Sequence, residues 1–218
     1  MMKILNSAVI CLFPKYMFYY HNLRDSNFRL LDVGCGNHSP SKTKSFFPYV
    51  KYYGLDKEIY NNNDYDIALM TQFIKKDLER DSLADIPDGF FDVIVAAHVI
   101  EHLRNGLDVI DQLCKKLNNN GKMYIEFPSV RSTKLPSMKG VLNFYDDPTH
   151  VSLYNMRDIE SILHNNNCAV KRSGVRRNIF RIILTPANVL VRLMLGYPIA
   201  SAFWDILGFA EYIYAERT

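Results

Sequence analysis

Apolar positions through the middle of the chain follow two alternating patterns. Short runs rich in β-branched and aromatic residues at 28–33 (FRLLDV), 49–55 (YVKYYGL), 73–76 and 91–96 (FDVIVA) predict strands. Between and after them the spacing turns helical. Leu107, Ile110, Leu113, Cys114 and Leu117 share one helix face, and residues 156–163 form a second such segment. Residues 118–121 (NNNG) predict a stop after the first of these helices, ahead of a strand at 122–127. The run at 91–96 is apolar without a break, as a strand covered on both faces must be, and is expected at the centre of a sheet. Strands alternating with helices imply βαβ units and a parallel sheet.

The last third of the chain is patterned differently. Residues 128–153 hold many turn residues and little periodicity, which predicts a long loop or lid beside a site. A strand at 169–175 is followed by the apolar stretch 182–208 and then by 209–216 (FAEYIYAE), which alternates like an edge strand. Together these predict a closing antiparallel hairpin with a helical insertion at about 180–208 between its strands. Asn triplets at 61–63, 118–120 and 165–167 fall at element ends, where Asn accepts left-handed turns. The expected architecture is one α/β domain over residues 1–218 with a helical cap at about 1–27. Its Rossmann-like sheet has seven mostly parallel strands, the last antiparallel, with helices on both faces and a ligand at the carboxyl edge.

Composition narrows the class without naming a partner. With 48% hydrophobic residues and a net charge of +3 the chain is an ordinary globular protein, and the charge excess is too small to argue for nucleic acid. Cys11, Cys35, Cys114 and Cys168 are far apart and form no CxxC pair, so no zinc ribbon or redox dithiol is expected, and a reducing cytoplasm fits. Pro186, Arg192 and Pro198 divide the apolar C-terminal stretch into pieces shorter than a spanning helix needs. The N-terminal MMKILNSAVICLFPKY lacks a small-residue cleavage site and reads as structure.

The sharpest feature is Asp32-Val33-Gly34-Cys35-Gly36, a strand running into a glycine turn. A second strand ends at Asp56, 24 residues after Asp32, where an acid meets ribose hydroxyls in nucleotide folds. Asn37, His38 and Ser39 follow Gly36 with no third glycine, which argues against a dinucleotide. These segments resemble the class I S-adenosylmethionine-dependent methyltransferases. The resemblance continues in order through Gly54-Leu55-Asp56-Lys57, Lys76-Asp77-Leu78, the stretch from Phe90 to Leu103 that contains Ala97-His98-Val99-Ile100-Glu101-His102, and Gly121 to Pro128. It spans roughly residues 28 to 175 and departs from the family where His38 replaces the third glycine. It implies S-adenosylmethionine as cofactor, with Asp32 near the donor's amino-acid end and Gly34, Cys35 and Gly36 lining it. It further implies Asp56 and Lys57 at the ribose, Asp77 and Leu78 at the adenine, and Ala97 beside the methionine portion.

The chemistry around that donor is read from two histidines. His98, at a strand's carboxyl end, is expected to contact substrate or act as general base, and His150 in the segment DDPTH is a second candidate base, set against a loop histidine satisfied by Asp146 or Asp147. His98-x-x-Glu101-His102 also has the spacing of inverted zinc proteases, but it follows directly on a buried strand, which removes that rival. The stretch resembles ubiquinone-pathway O-methyltransferases too, where Glu stands at position 98 and a divalent ion has been linked to the site. No metal is expected here: Glu101 is read as a helix cap and His102 as a hydrogen-bonding partner.

The expected activity is methyl transfer to a hydroxyl of a small molecule or glycan; the alternative is a non-catalytic donor-binding scaffold or sensor. The basic residues Lys171, Arg172, Arg176, Arg177 and Arg181 before the apolar insertion are read as a solvated edge strand ahead of buried helices or a homodimer surface, with peripheral membrane contact as the rival.

Overall fold

The structure, a computed structural model, describes residues 9–218, so the part of the N-terminal cap at 1–8 lies outside the described residues. Seven strands form one sheet in the order β3-β2-β1-β4-β5-β7-β6. They are β1 (Arg29–Val33), β2 (Lys51–Asp56), β3 (Gln72–Lys75), β4 (Phe91–Ala97), β5 (Leu117–Pro128), β6 (Cys168–Val175) and β7 (Ala210–Arg217). Only β7 runs against its neighbours, pairing Ile125 with Ile213 on one side and Ser173 with Ile213 on the other. β1 pairs in parallel with both β2 and β4, which brings the exits of these strands to one edge.

Alternation along the strands fills two cores. On one face Leu31, Val33, Ile94 and Ile125 pack under α5 (Gly106–Lys116) and α6 (Met156–Asn165), whose buried residues include Ile110, Leu113, Ile159 and Leu163. The other face carries Leu30, Val95 and Tyr124 against the N-terminal α1 (Pro14–Met17) and α2 (Tyr20–Leu23), with α3 (Ser39–Phe46) completing it. That second core is aromatic: the Phe47 ring lies 5.4–5.8 Å from those of Tyr16, Tyr19, Tyr20 and Phe28. Helix starts are set by side chains that accept from free backbone N–H groups. Asn63 and Asp66 form a capping box on α4 (Asp64–Leu69), while Asn155 and Asn178 cap α6 and α7 (Ile179–Met194).

Four expectations change. β7 is interior, not an edge: the charges that made it look solvated are met by neighbours, with Glu216 lying 3.8 Å from Lys122 and 3.9 Å from Lys171. β5 starts at Leu117, so the Asn118–Gly121 stop sits within the strand, where Asn120 takes a φ of 65° and the register against β4 shifts between Phe91 and Val93. Pro186 does not end its helix; α7 runs through it, with Thr185 Oγ1 donating to the Arg181 carbonyl at 2.9 Å one turn earlier. α7 is also largely exposed, not buried. No helix among the described residues is long and apolar enough to cross a membrane.

Phe47→Ala removes the ring on which the aromatic core converges. It is expected to cost about 3–5 kcal/mol, read as a lower urea midpoint at unchanged m-value.

Candidate active site

The exits of β1, β4 and β5 open into a cavity of about 670 Å³, within the range of small-molecule sites. Asp32, Gly34, Gly36, Ala97, His98 and Glu126 form its floor along the sheet. Lys15 from α1 walls one side, and Arg181, Leu184 and Asn188 on the inner face of α7 wall another.

Asp32 ends β1 with its carboxylate buried, accepting from Ser39 Oγ at 2.5 Å and Tyr52 Oη at 2.7 Å. Lys15 reaches over it, donating to Ser39 Oγ at 3.0 Å and lying 3.9 Å from Asp32 Oδ2. Burial works against the lysine's charge, yet the Asp32 carboxylate wins and holds its pKa above the ordinary range.

The glycine turn is shaped by close approach on both sides. Gly34 has φ +72°, and a Cβ there would fall 2.6 Å from Val99 Cγ2; one at Gly36 would fall 2.8 Å from the Tyr60 carbonyl. Where the third family glycine would stand, His38 adopts φ 58° after Asn37 at 57°. Such a conformation is strained for non-glycine residues, and it is held from outside. Asn62 Oδ1 accepts from His38 N at 2.9 Å, Asn62 Nδ2 donates to the Cys35 carbonyl at 3.0 Å, and the His38 ring meets Asp66 at 2.5 Å. The Asn triplet at 61–63 is therefore a clamp on the turn, a role its sequence position did not show.

The remaining expected donor residues are not among those that line this cavity. Asp56 ends β2, its pKa raised by burial against the opposing Lys57 N–H hydrogen bond of 2.8 Å. The Cys35 side chain turns away into the core, where its Sγ would lie 2.6 Å from a Cβ on Gly54. Asp77 caps its own turn by accepting from Glu79 N, and buried Leu78 gives its carbonyl to Asn105.

His98 occupies the exit of β4 in a left-handed conformation, φ 57°. Both ring nitrogens are engaged by carboxylates: Nδ1 with Glu101 Oε1 and Nε2 with Glu126 Oε1, each at 2.9 Å. Burial opposes protonation, but the two carboxylates outweigh it and push the pKa up to about 9. An imidazolium with both N–H groups donated cannot take a proton, which separates the substrate-contact expectation for His98 from the general-base one.

The network extends further. Glu126 also accepts from Tyr124 Oη and Arg176 Nη1 at 2.5 Å each, and these partners hold it ionised below the usual range despite burial. Arg176, 5% exposed, donates to both oxygens of Asp205 at 3.1–3.2 Å, and Arg181 lies 3.3 Å from the same carboxylate. Arg176 is thus not the solvated residue expected of it. Asp205 opens α8 (Trp204–Leu207) and is the single acid between Glu160 and Glu211, a signal that was available in the sequence. Glu126 was equally visible as an acid inside the apolar run 122–127.

His150 lies outside the cavity wall. Its Nδ1 donates to the Phe144 carbonyl at 2.7 Å, so a main-chain oxygen rather than Asp146 is its partner, and Asp147 stands 3.9 Å from Nε2. Asp146 instead gathers the 128–153 loop, accepting from Ser137 and from the backbone N–H groups of Met138, Leu142 and Asn143.

A sheet of this order with its glycine turn at the carboxyl edge is a doubly wound fold of the kind that binds nucleotide-bearing ligands. A family model described as a methyltransferase domain matches residues 8–172, and the chain belongs to that family. Among solved structures the fold is similar to a SAM-dependent methyltransferase from Archaeoglobus fulgidus, with TM-score 0.59 and 18% identity over 100% of this chain and 95% of that one. It is also similar to phosphoethanolamine N-methyltransferase 2 from Haemonchus contortus, with TM-score 0.63 and 15% identity over 98% of this chain and 52% of that one. Geranyl diphosphate C-methyltransferase from Streptomyces coelicolor A3(2) has TM-score 0.61 and 14% identity over 94% and 76% of the two chains. No curated protein matches the sequence.

Glu126→Gln leaves Arg176 and His98 short of a buried counter-charge. It is expected to cost about 3–5 kcal/mol in urea unfolding, whereas Arg80→Gln at the exposed Asp77 pair changes stability by less than about 0.5 kcal/mol.

Proposed function

We propose that this protein is a cytoplasmic enzyme that transfers a methyl group from S-adenosylmethionine to a hydroxyl of a small molecule or glycan. The observation that carries the reading is one cavity lined both by the Asp32–Gly36 turn and by the inner face of α7, a shared space for the donor's amino-acid end and an acceptor. S-adenosylmethionine supplies an electrophilic methyl group on a sulfonium. Asp32 faces the donor's ammonium and Lys15 its carboxylate, a complementary pair for an amino-acid moiety. Gly34, Gly36 and Ala97 border the methionine portion with the Cys35 backbone between the glycines, Asp56 with Lys57 takes the ribose hydroxyls, and Asp77 and Leu78 border the adenine.

On the acceptor side the chain contributes chiefly position. Arg181, Leu184 and Asn188 offer one charged, one apolar and one amide contact to a molecule lying under α7. His98 stiffens the floor through Glu101 and Glu126. Holding acceptor and methyl in line is the larger part of the rate in such a site. Among the described residues lining the cavity none is an unpaired imidazole, which suits an acidic hydroxyl such as a phenol, whose anion Lys42 and Arg181 stabilise.

α7 also supports a contact outside the cavity. Ile179, Phe180, Ile183, Leu190, Leu193 and Met194 are all more than half exposed, and from 168 to 204 the chain has six basic residues and no acid. An apolar helix face beside a basic strand suits an anionic lipid surface, from which a lipid-linked acceptor enters under the same helix.

Calorimetric titration is expected to show S-adenosylmethionine and S-adenosylhomocysteine binding one per chain, weakened at least tenfold by Asp32→Asn and by Asp56→Ala. Undiminished binding in both variants removes the donor assignment. Flotation with anionic vesicles is expected to carry the protein upward and to fail for Phe180→Glu/Leu193→Glu. If the protein stays with the soluble fraction and sediments as a dimer, α7 is a subunit contact instead.

A further inference from the structure

Glu101, His102 and His150 come together at the edge of the sheet although 48 residues separate the two histidines in sequence. One ligand-type atom from each lies within 4.8 Å of the other two. Four features of their surroundings point the same way.

The first is an unsatisfied oxygen. Glu101 is 1% exposed; its Oε1 accepts from His98, while Oε2 is buried with no hydrogen-bond partner. A carboxylate oxygen deprived of water and of donors is costly to bury unless something positive completes it. The second is the state of the two rings. His150 Nδ1 faces the Phe144 carbonyl at 2.7 Å, and a carbonyl only accepts, so that nitrogen carries the hydrogen. His102 Nδ1 faces the Thr149 carbonyl at 3.2 Å and Thr149 Oγ1 at 2.9 Å. The Thr149 hydroxyl donates to Asp147 Oδ1 at 2.5 Å, so it too accepts from the ring. The tautomer these contacts select therefore leaves the lone pair of each ring on Nε2.

The third feature is the relay itself. An imidazole whose far nitrogen donates to a carbonyl, or through a hydroxyl to a carboxylate, has the support that metal-ligating histidines have. The fourth is preorganisation: the backbone N–H groups of Val151 and Ser152 both donate to the Glu101 carbonyl, at 2.9 and 3.1 Å, and tie the loop that carries His150 to the turn that carries Glu101. The two rings stand 4.9 Å apart and tilted by 56°, so they are not stacked face to face.

The geometry points to Glu101 Oε2, His102 Nε2 and His150 Nε2 as a binding site for one first-row divalent cation of the zinc type. Two imidazoles and one carboxylate form a borderline donor set that leaves at least one position for water. This is a different set from His98-x-x-Glu101-His102, because His98 has both nitrogens committed elsewhere and His150 takes its place. None of the three ligands lines the donor cavity, and the site does not rest on the donor assignment. Its role in the fold is to fasten the 128–153 loop to the exit of β4.

The test uses the tag-free chain, stripped with chelator and titrated with Zn2+ alone by calorimetry and with Co2+ by visible absorption. One equivalent per chain is expected, with Zn2+ raising the melting temperature. Affinity is expected to fall at least tenfold in His102→Ala and His150→Ala and to hold within twofold in His164→Ala, an exposed histidine on α6. Glu101→Gln keeps the side-chain shape and is expected to give the same loss, which covers an alanine variant that fails to fold. Absence of stoichiometric binding, or binding that survives both alanine variants, overturns the site.

Discussion

Everything at the carboxyl edge of this sheet depends on one buried chain of alternating charges: Glu101, His98, Glu126, Arg176, Asp205 and Arg181. Three negative and three positive groups follow one another, and each inner member touches two opposite neighbours. A single buried ion pair rarely repays its own desolvation. A chain in which both sides of a charge are satisfied comes nearer to doing so, and this one joins elements far apart in sequence. It links the exit of β4 to the last residues of β5, the end of β6 and the starts of α7 and α8. Trp204 packs over it, stacked on Phe209 with centroids 4.5 Å apart and 5.0 Å from the His98 ring.

The consequence for function is one of position. The insertion between β6 and β7 reaches back over the cavity because Arg176 and Asp205 hold its two ends, so the α7 wall and the sheet floor of the cavity share a framework. His98 is the joint between them. Its left-handed backbone, a strained conformation, is kept by a backbone hydrogen bond to the Glu126 carbonyl at 2.8 Å and by the two carboxylates on its ring. The two carboxylates on its ring favour the protonated form of His98.

How much of this could be read in the chain follows from which interactions are local. The strands, the parallel sheet and the antiparallel pairing near its end are encoded in short-range periodicity, and they were legible. So was the turn from Asp32 to Gly36, because strand, acid and glycine are consecutive. The pairing of the buried charges was not, since Glu126, Arg176 and Asp205 are brought together across 79 residues by tertiary contacts alone. Misplacing β7 at an edge has the same origin: Glu211 and Glu216 look solvent-facing until their neighbours are known. Pro186 was expected to divide the apolar stretch, yet a helix can run through proline when the surrounding groups take up the slack.

The most direct test of the account is a crystal structure of the full chain with S-adenosylhomocysteine. The account predicts that the ligand's amino-acid end lies between Asp32 and Lys15, its ribose at Asp56, and its sulfur facing the space under α7. Density lying elsewhere on the sheet, or a sulfur turned away from Arg181 and Asn188, would contradict the claim that the donor's methyl end and the acceptor share one cavity.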